Sequence, residues 1–255
     1  MARFTLHSSS LLLSIALVAM AALPPLTAQA LTIEYNGGGP LIKGSGKVVD
    51  QPRTVAAFSK LRLDGPFTVE AKPGPQHQVN VRADDNLAEL IEVVVEADTL
   101  VVRGKPKSNW RTSSPVLVQV TFAQLQAAEL RGSGDLNIRS LQAERFSAAV
   151  AGSGDLRIEG ARLGGLVASL AGSGDLNATG SAQNVEANVA GSGDMDLSKL
   201  QARHSKVNLA GSGDVSVHAA ESVDVNIAGS GDVQVWGKPA KVNRTVQGSG
   251  DIHLK

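Results

Sequence analysis

Along the second half of the chain, apolar residues alternate with polar or small ones. The alternation is broken at regular intervals by the same four residues, Gly-Ser-Gly-Asp. The tetrapeptide begins at Gly132, Gly152, Gly172, Gly191, Gly211, Gly229 and Gly248, a period of about 20 residues. Two positions before each stands Leu130, Val150, Leu170, Val189, Leu209, Ile227 or Val246. Directly after each Asp comes Leu136, Leu156, Leu176, Met195, Val215, Val233 or Ile252. Two further on stands Ile138, Ile158, Ala178, Leu197, Val217, Val235 or Leu254. A side-chain period of two belongs to strands, and a Gly-rich tetrapeptide between strands reads as a sharp bend. One repeat is therefore strand, bend, strand and a looser corner. Such a unit cannot bury its apolar face alone, but a stack can, with equivalent strands pairing in parallel about 4.8 Å apart. The expected fold is all-β, a parallel β-solenoid with coils of about 20 residues and a less regular N-terminal part. Parallel crossovers are overwhelmingly right-handed, so a right-handed β-helix is expected.

The first half follows the pattern loosely. Leu61 and Leu63 alternate up to Asp64-Gly65-Pro66, after which Phe67 and Val69 resume, a degenerate copy of the later unit. Ile91, Val93 and Val95 lead through Glu96-Ala97-Asp98-Thr99 into Leu100 and Val102, which suggests a hairpin. Residues 105–115 are polar, with Trp110 in their middle, and read as a protruding loop. Glycine-rich residues 31–46 read as a flexible lead-in. Residues 47–255 then form the solenoid, with irregular coils over 47–131 and the regular array over 132–255. Residues 1–30 read as a signal peptide: Arg3, an apolar run at 11–23 interrupted only by Ser14, and Ala28-Gln29-Ala30 as a cleavage site.

Composition narrows the function. Hydrophobic residues make up 42% and aromatics only 3%, as expected of a narrow interior filled by aliphatic ladders. The formal net charge is zero, and it becomes −1 without residues 1–30, whose one charged residue is Arg3. No basic stripe points to nucleic acid, and the apolar run is too short to span a bilayer. Cysteine is absent, which excludes disulfides, thiol catalysis and Cys-ligated zinc.

Three further pieces accompany the array: Gly44-Ser45-Gly46-Lys47-Val48-Val49, residues 58–63 ahead of Gly65, and Val81-Arg82-Ala83-Asp84-Asp85-Asn86-Leu87. In this order they resemble the DUF2807 family, also known as the head GIN domain of auto-transporter adhesins, over residues 44–255. The resemblance implies a β-solenoid and an extracytoplasmic location, and it names no chemistry. Unlike an autotransporter, the sequence places no run of amphipathic barrel strands after the array.

Candidate chemistry begins with Asp135, Asp155, Asp175, Asp194, Asp214, Asp232 and Asp251. Stacked carboxylates repel one another unless compensated. As structural turn residues they are expected to accept N–H groups of their own bends. A calcium ladder is the alternative, and the spacing fits the known nonapeptide pattern poorly. No other cofactor, metal or catalytic set is expected. Glu144, Glu159, Glu186 and Glu221 occupy unrelated repeat positions, His77, His204, His218 and His253 share no motif, and no base stands beside a serine in the pattern. The outward positions flanking Val189, Leu209 and Ile227 are Asn188, Ala190, Asn208, Ala210, Asn226 and Ala228. They form a flat uncharged stripe, either an Asn ladder that supports the stack or an interaction face. The expected function is an exported, non-enzymatic binding or adhesion-type module of the periplasm or surface of a bacterium. Its expected partner is a glycan or protein ligand, with self-association possible. The alternatives are a purely structural envelope protein and a carbohydrate-active enzyme.

Overall fold

The computed structural model describes residues 32–255, and the export signal read over residues 1–30 lies outside them. Among the described residues the regular structure is all strand apart from a single 3₁₀ turn at Ala88–Leu90. Seven successive strand segments stack in parallel and in register on the first side of the solenoid. Each row begins with Ala127, Ser147, Val167, Glu186, Lys206, Asp224 or Asn243 and ends on the first motif glycine. The second side aligns Leu136, Leu156, Leu176, Met195, Val215, Val233 and Ile252. A short third side aligns Ala143, Leu163, Ala182 and Ala202. In the coil before Gly229 a bend at Ala219, Ala220 and Glu221 replaces it, with Ala220 N–H donating to the Ala202 carbonyl. That replacement accounts for the shorter step to Gly229.

The interior is a set of ladders, as the alternation predicts. Leu130, Val150, Leu170, Val189, Leu209 and Ile227 are buried, as are Ala128, Ala148, Ala168, Ala187, Val207 and Val225 beside them. Small and branched residues line neighbouring columns, so the narrow core of the array fills with a single aromatic, Phe146. One column is broken by Ser205, whose hydroxyl donates to the His218 carbonyl at 2.7 Å and so satisfies a buried polar group.

The two motif glycines have different reasons to be glycine. The first lies at positive φ in every bend, from +106° at Gly132 to +152° at Gly229, where a side chain is strained. The second is buried and not at positive φ, yet a Cβ there would collide with the carbonyl of the equivalent glycine one coil below, as at Gly193 against Gly174. The bends themselves are hydrogen-bonded coil to coil. Ser153 and Gly154 N–H both donate to the Gly132 carbonyl at 2.9 and 3.0 Å, and the pattern repeats up to Ser249 on Gly229.

The N-terminal part departs from simple sequential stacking. Lys60–Asp64 pairs in parallel with Ala127–Gly132 on one side and with Thr99–Gly104 on the other. Thr68–Pro73 likewise lies between Leu117–Phe122 and the strand at Asp135. The coil at 60–73 is therefore inserted between one that follows it in sequence and the array. Its Gly65, at φ +138°, takes the place of a first motif glycine, and its N–H donates to the Arg131 carbonyl. Ile91–Glu96 and Thr99–Gly104 form the expected hairpin, with Ala97 at φ +55° in its turn.

Two expectations for this region are corrected. The lead-in at 31–46 is not a free tether, and residues 105–115 are not a protruding loop. Ile33–Asn36 and Leu41–Lys43 both pair with Asn109–Thr112, antiparallel and parallel respectively. Trp110 explains the pairing. It is fully buried, with Tyr35 and Phe67 ring centroids at 5.7 and 5.9 Å, and so large an apolar surface needs a cover. The residues of the DUF2807 resemblance also meet here. Ser45 N–H donates to Asn86 Oδ1 at 3.0 Å and its hydroxyl to Asp85 Oδ1 at 2.6 Å, while Asn86 Nδ2 donates to the Lys43 carbonyl at 2.9 Å. These segments form a clasp that closes the chain entry onto the solenoid.

Candidate binding face

The outward side chains of the first side form columns set by the strand register. Nearest the bends run Ala151, Ala171, Ala190, Ala210, Ala228 and Gln247, and next to them Ala149, Ser169, Asn188, Asn208, Asn226 and Thr245. None is charged. Ala190, Ala210 and Ala228 are exposed and the three asparagines half-buried. Asn208 Nδ2 donates to Asn188 Oδ1 at 2.8 Å, and Asn226 Nδ2 to Asn208 Oδ1 at 3.2 Å. The asparagines thus form a ladder along the solenoid axis. Each amide also keeps an outward edge, so ladder and face are compatible. The two columns and the strand between them enclose a shallow groove of about 570 Å³. Its lower end, at the first coil, is closed by charge, where Arg131 Nε donates to Glu129 Oε1 at 2.7 Å.

Farther from the bends the same side becomes polar. Seven positions before each motif stand Arg145, Gly165, Asn184, His204, Ser222 and Lys241, and five before stand Ser147, Val167, Glu186, Lys206, Asp224 and Asn243. Together with Glu144 and Gly164 these columns, Ser147 excepted, line a second cleft of about 850 Å³. The stripe legible in the sequence lies one and three positions before the motif. Counting back to five and seven would have found this cleft.

The motif aspartates are held differently from the expectation. Their carboxylates do not bond within their own bends. Those of Asp175, Asp194, Asp214 and Asp232 each accept the backbone N–H of the aspartate one coil above. Asp214 N–H donates to Asp194 Oδ1 at 2.8 Å, Asp232 to Asp214 at 2.9 Å, Asp251 to Asp232 at 2.8 Å, and Asp194 to Asp175 at 3.4 Å. The in-register stack places the next N–H closer to the carboxylate than any donor of its own tight bend. Asp155 and Asp135 stand outside this chain of bonds, since Asp155 N–H goes to the Gly134 carbonyl and Asp135 N–H to Phe67. Burial, followed by the neighbouring Asp155 charge, raises the Asp135 pKa above its ordinary value.

A serine does have a base beside it, contrary to expectation. His204 Nδ1 lies 2.9 Å from Ser222 Oγ in the adjacent coil, and His204 Nε2 lies 3.6 Å from Glu221 Oε2. The histidine and glutamate side chains are 48% and 54% exposed, so bulk water competes at every contact. Glu144 and Glu186 reach the same cleft but sit two coils apart. Two coil steps are about 9.6 Å of backbone spacing, far from the roughly 5–5.5 Å of a retaining carboxylate pair and at the outer limit of an inverting one. Glu159 pairs with Arg139 at 3.5 Å instead. His77 packs against Phe58 with the rings tilted and their centroids 4.5 Å apart, and His218 and His253 lie elsewhere on the second side. Among the described residues no group of three or more His, Cys, Asp and Glu side chains is placed to hold a metal ion. No described helix is long and apolar enough to cross a membrane.

The sequence profile of DUF2807, described as "Putative auto-transporter adhesin, head GIN domain", matches residues 57–239. The chain belongs to the DUF2807 family. No curated protein matches it. Among solved structures, an adhesin candidate from Bacteroides fragilis is 23% identical, with a TM-score of 0.80 over 84% of this chain and 100% of that one. A Parabacteroides distasonis protein named a putative lipid binding protein is 24% identical, with a TM-score of 0.73 over 85% and 100%. An adhesin candidate from Parabacteroides merdae is 19% identical, with a TM-score of 0.65 over 84% and 99%. At these identities the likeness establishes the shared solenoid fold.

Proposed function

We propose that this DUF2807 protein is an exported, non-enzymatic binding module of a bacterial envelope or surface, and that its partner docks on the uncharged face around Asn188, Ala190, Asn208, Ala210, Asn226 and Ala228. The observation that carries this reading is the groove of about 570 Å³ across those coils. Exposed sheet surface is normally guarded by charge, and a broad uncharged patch is normally covered. The adhesin description of the family and of its structural relatives supports a binding role. The apolar run at 11–23 and Ala28-Gln29-Ala30 support export to the periplasm or surface. The exposure of His204 and Glu221, whose contacts compete with bulk water, supports a module without turnover. A surface glycan, a protein or a second copy of the chain would each fit a flat amide-and-methyl surface. In the test, Ala210→Arg points outward and leaves the core intact, so the melting temperature should match wild type. Sedimentation and adherence to envelope preparations should both show weaker association. A folded variant that equals wild type in both assays reduces the stripe to a structural ladder.

A further inference from the structure

The polar cleft beside that groove has features that the stack does not require. Gly164 is sterically enforced, because a Cβ there would press on the Glu144 carbonyl. Gly165 is not. It lies outside the positive-φ region, and a Cβ added to it would meet nothing within 4 Å. Glycine inside a strand weakens it and commonly marks the close approach of a ligand or another backbone. The missing side chain opens a notch between Arg145 in the coil below and Asn184 in the coil above. Beside it Val167 is 43% exposed, a small apolar patch within a polar surround.

The charges of the cleft are balanced and free. Glu144, Glu186 and Asp224 face Arg145, Lys206 and Lys241. Among the described residues none of the six makes an ion pair. Balanced charge gives no preference for a polyanion or polycation. The free carboxylates, guanidinium and amide offer paired donors and acceptors to hydroxyl groups. The cleft volume of about 850 Å³ suits a short stretch of such a ligand, being within the ~300–1,000 Å³ of small-molecule sites. Polar side chains in these columns stand on both sides of the Gly165 coil, Arg145 one coil below it and Asn184, Glu186, His204 and Lys206 in the coils above, with successive coils at strand spacing, about 4.8 Å. A ligand of repeating units can engage several of them at once.

We infer that the cleft centred on Gly165 is a binding site for a neutral, hydroxyl-rich polysaccharide laid along the solenoid axis. Arg145, Asn184 and Glu186 bond its hydroxyls, and Val167 meets a C–H face of a sugar ring. This site is separate from the uncharged groove and stands or falls without it. The test is affinity gel electrophoresis of the mature protein through gels containing dextran, mannan or laminarin, with alginate as the anionic control. Wild type should be retarded by at least one neutral polymer and not by alginate. Gly165→Phe has open space at its Cβ, fills the notch with its ring and should weaken retardation at least tenfold. Asn184→Ala should weaken it severalfold and decides the matter should the Phe variant misfold by circular dichroism. Ala210→Arg should leave retardation unchanged, which separates this site from the groove. The inference is overturned by absence of retardation in all three neutral gels, by stronger retardation in alginate, or by wild-type retardation of folded Gly165→Phe and Asn184→Ala.

Discussion

The N-terminal part and the regular array solve the same problem, holding one coil on the next, with different materials. In the array each coil is stacked through glycine bends, in-register backbone bonds and aliphatic columns that repeat without change. In the N-terminal part the coil at 60–73 has neighbours on both sides but only one Gly-type bend. Side chains make up the difference: Trp110 against Tyr35 and Phe67, Arg62 between Asp64 at 3.0 Å and Glu96 at 3.3 Å, and Arg103 between Glu92 and Glu96 at 2.6 and 2.7 Å. Antiparallel strands at 48–53, 78–84 and 91–96 close that end. At the other end, Val246 and Leu254 in the last described coil are 43% and 51% exposed. Repetition can propagate a solenoid but cannot end one. The irregular part is where the molecule's termination is built.

The comparison predicts where single substitutions hurt most. Trp110→Ala should be the largest loss, about 3–5 kcal/mol by analogy with other buried aromatic truncations. Melting followed by near-ultraviolet circular dichroism would check it. A shift no larger than that of an exposed-site control would mean that the aromatic stack is ornamental. Next comes the array. Gly213→Ala forces a methyl group into the Gly193 carbonyl and should cost about 1–3 kcal/mol. Gly165→Ala, in the same array but over open space, should cost nothing or add up to about 1 kcal/mol. Equal melting temperatures for these two variants would break the claim that bend glycines are selected by packing.

How much of this was visible beforehand differs between the same two regions. The array was legible because its information is local, a two-residue alternation and a repeated tetrapeptide. Even the degenerate bend at Asp64-Gly65-Pro66 could be read that way. The end structure was not legible, because it rests on contacts between distant segments. Ile33–Asn36 pairs with Asn109–Thr112 across most of the N-terminal half, and nothing near Gly37-Gly38-Gly39 announces that partner. The swapped order of the first coils is likewise a property of pairing. In the site, the Asn and Ala columns followed from alternation alone. The Gly165 notch required knowing which residues of neighbouring coils come into register. The aspartate bonds were misjudged for the same reason, since their donors sit one coil away.

Carboxylate titration gives a finer contrast. Hydrogen bonding from Ser45, aided by Lys47, lowers the Asp85 pKa, and hydrogen bonding from Ser59 lowers that of Asp98. A depressed folded pKa stabilises above the ordinary aspartate value and loses that contribution as pH falls through the depressed one. Ser45→Ala and Ser59→Ala should therefore lower the melting temperature at neutral pH, with the difference shrinking in acid. Asp135, at the junction with the array, has the opposite sign. Its raised pKa means that folding costs more once the group is ionised, above the raised value, and the cost disappears below the ordinary one. Asp135→Asn should raise the melting temperature at neutral pH and converge with wild type in acid. A neutral-pH loss in Asp135→Asn would show that its charge is used.

The smallest effect is expected where the sequence offered its most conspicuous chemistry. The column from Asp175 to Asp251 could be read as a cation ladder. In the fold, each of Asp175, Asp194, Asp214 and Asp232 has one oxygen engaged by the aspartate N–H above. Calcium takes about six to eight oxygen ligands. A column that presents mainly one remaining carboxylate oxygen per coil, at strand spacing, falls short of that shell. The N–H bonds already offset the repulsion that a cation would otherwise relieve. Millimolar calcium followed by chelator should therefore leave the melting temperature within about 1 °C, since only a ligand bound preferentially to the folded state stabilises it. Asp214→Asn keeps an oxygen acceptor for Asp232 N–H and should also be mild, within about 1 kcal/mol. Asp214→Ala removes the acceptor and should cost more than Asn does. A calcium-dependent rise of several degrees, abolished by Asp214→Asn, would instead make the column an ion site and put the array's stability on a footing that its backbone bonds do not explain.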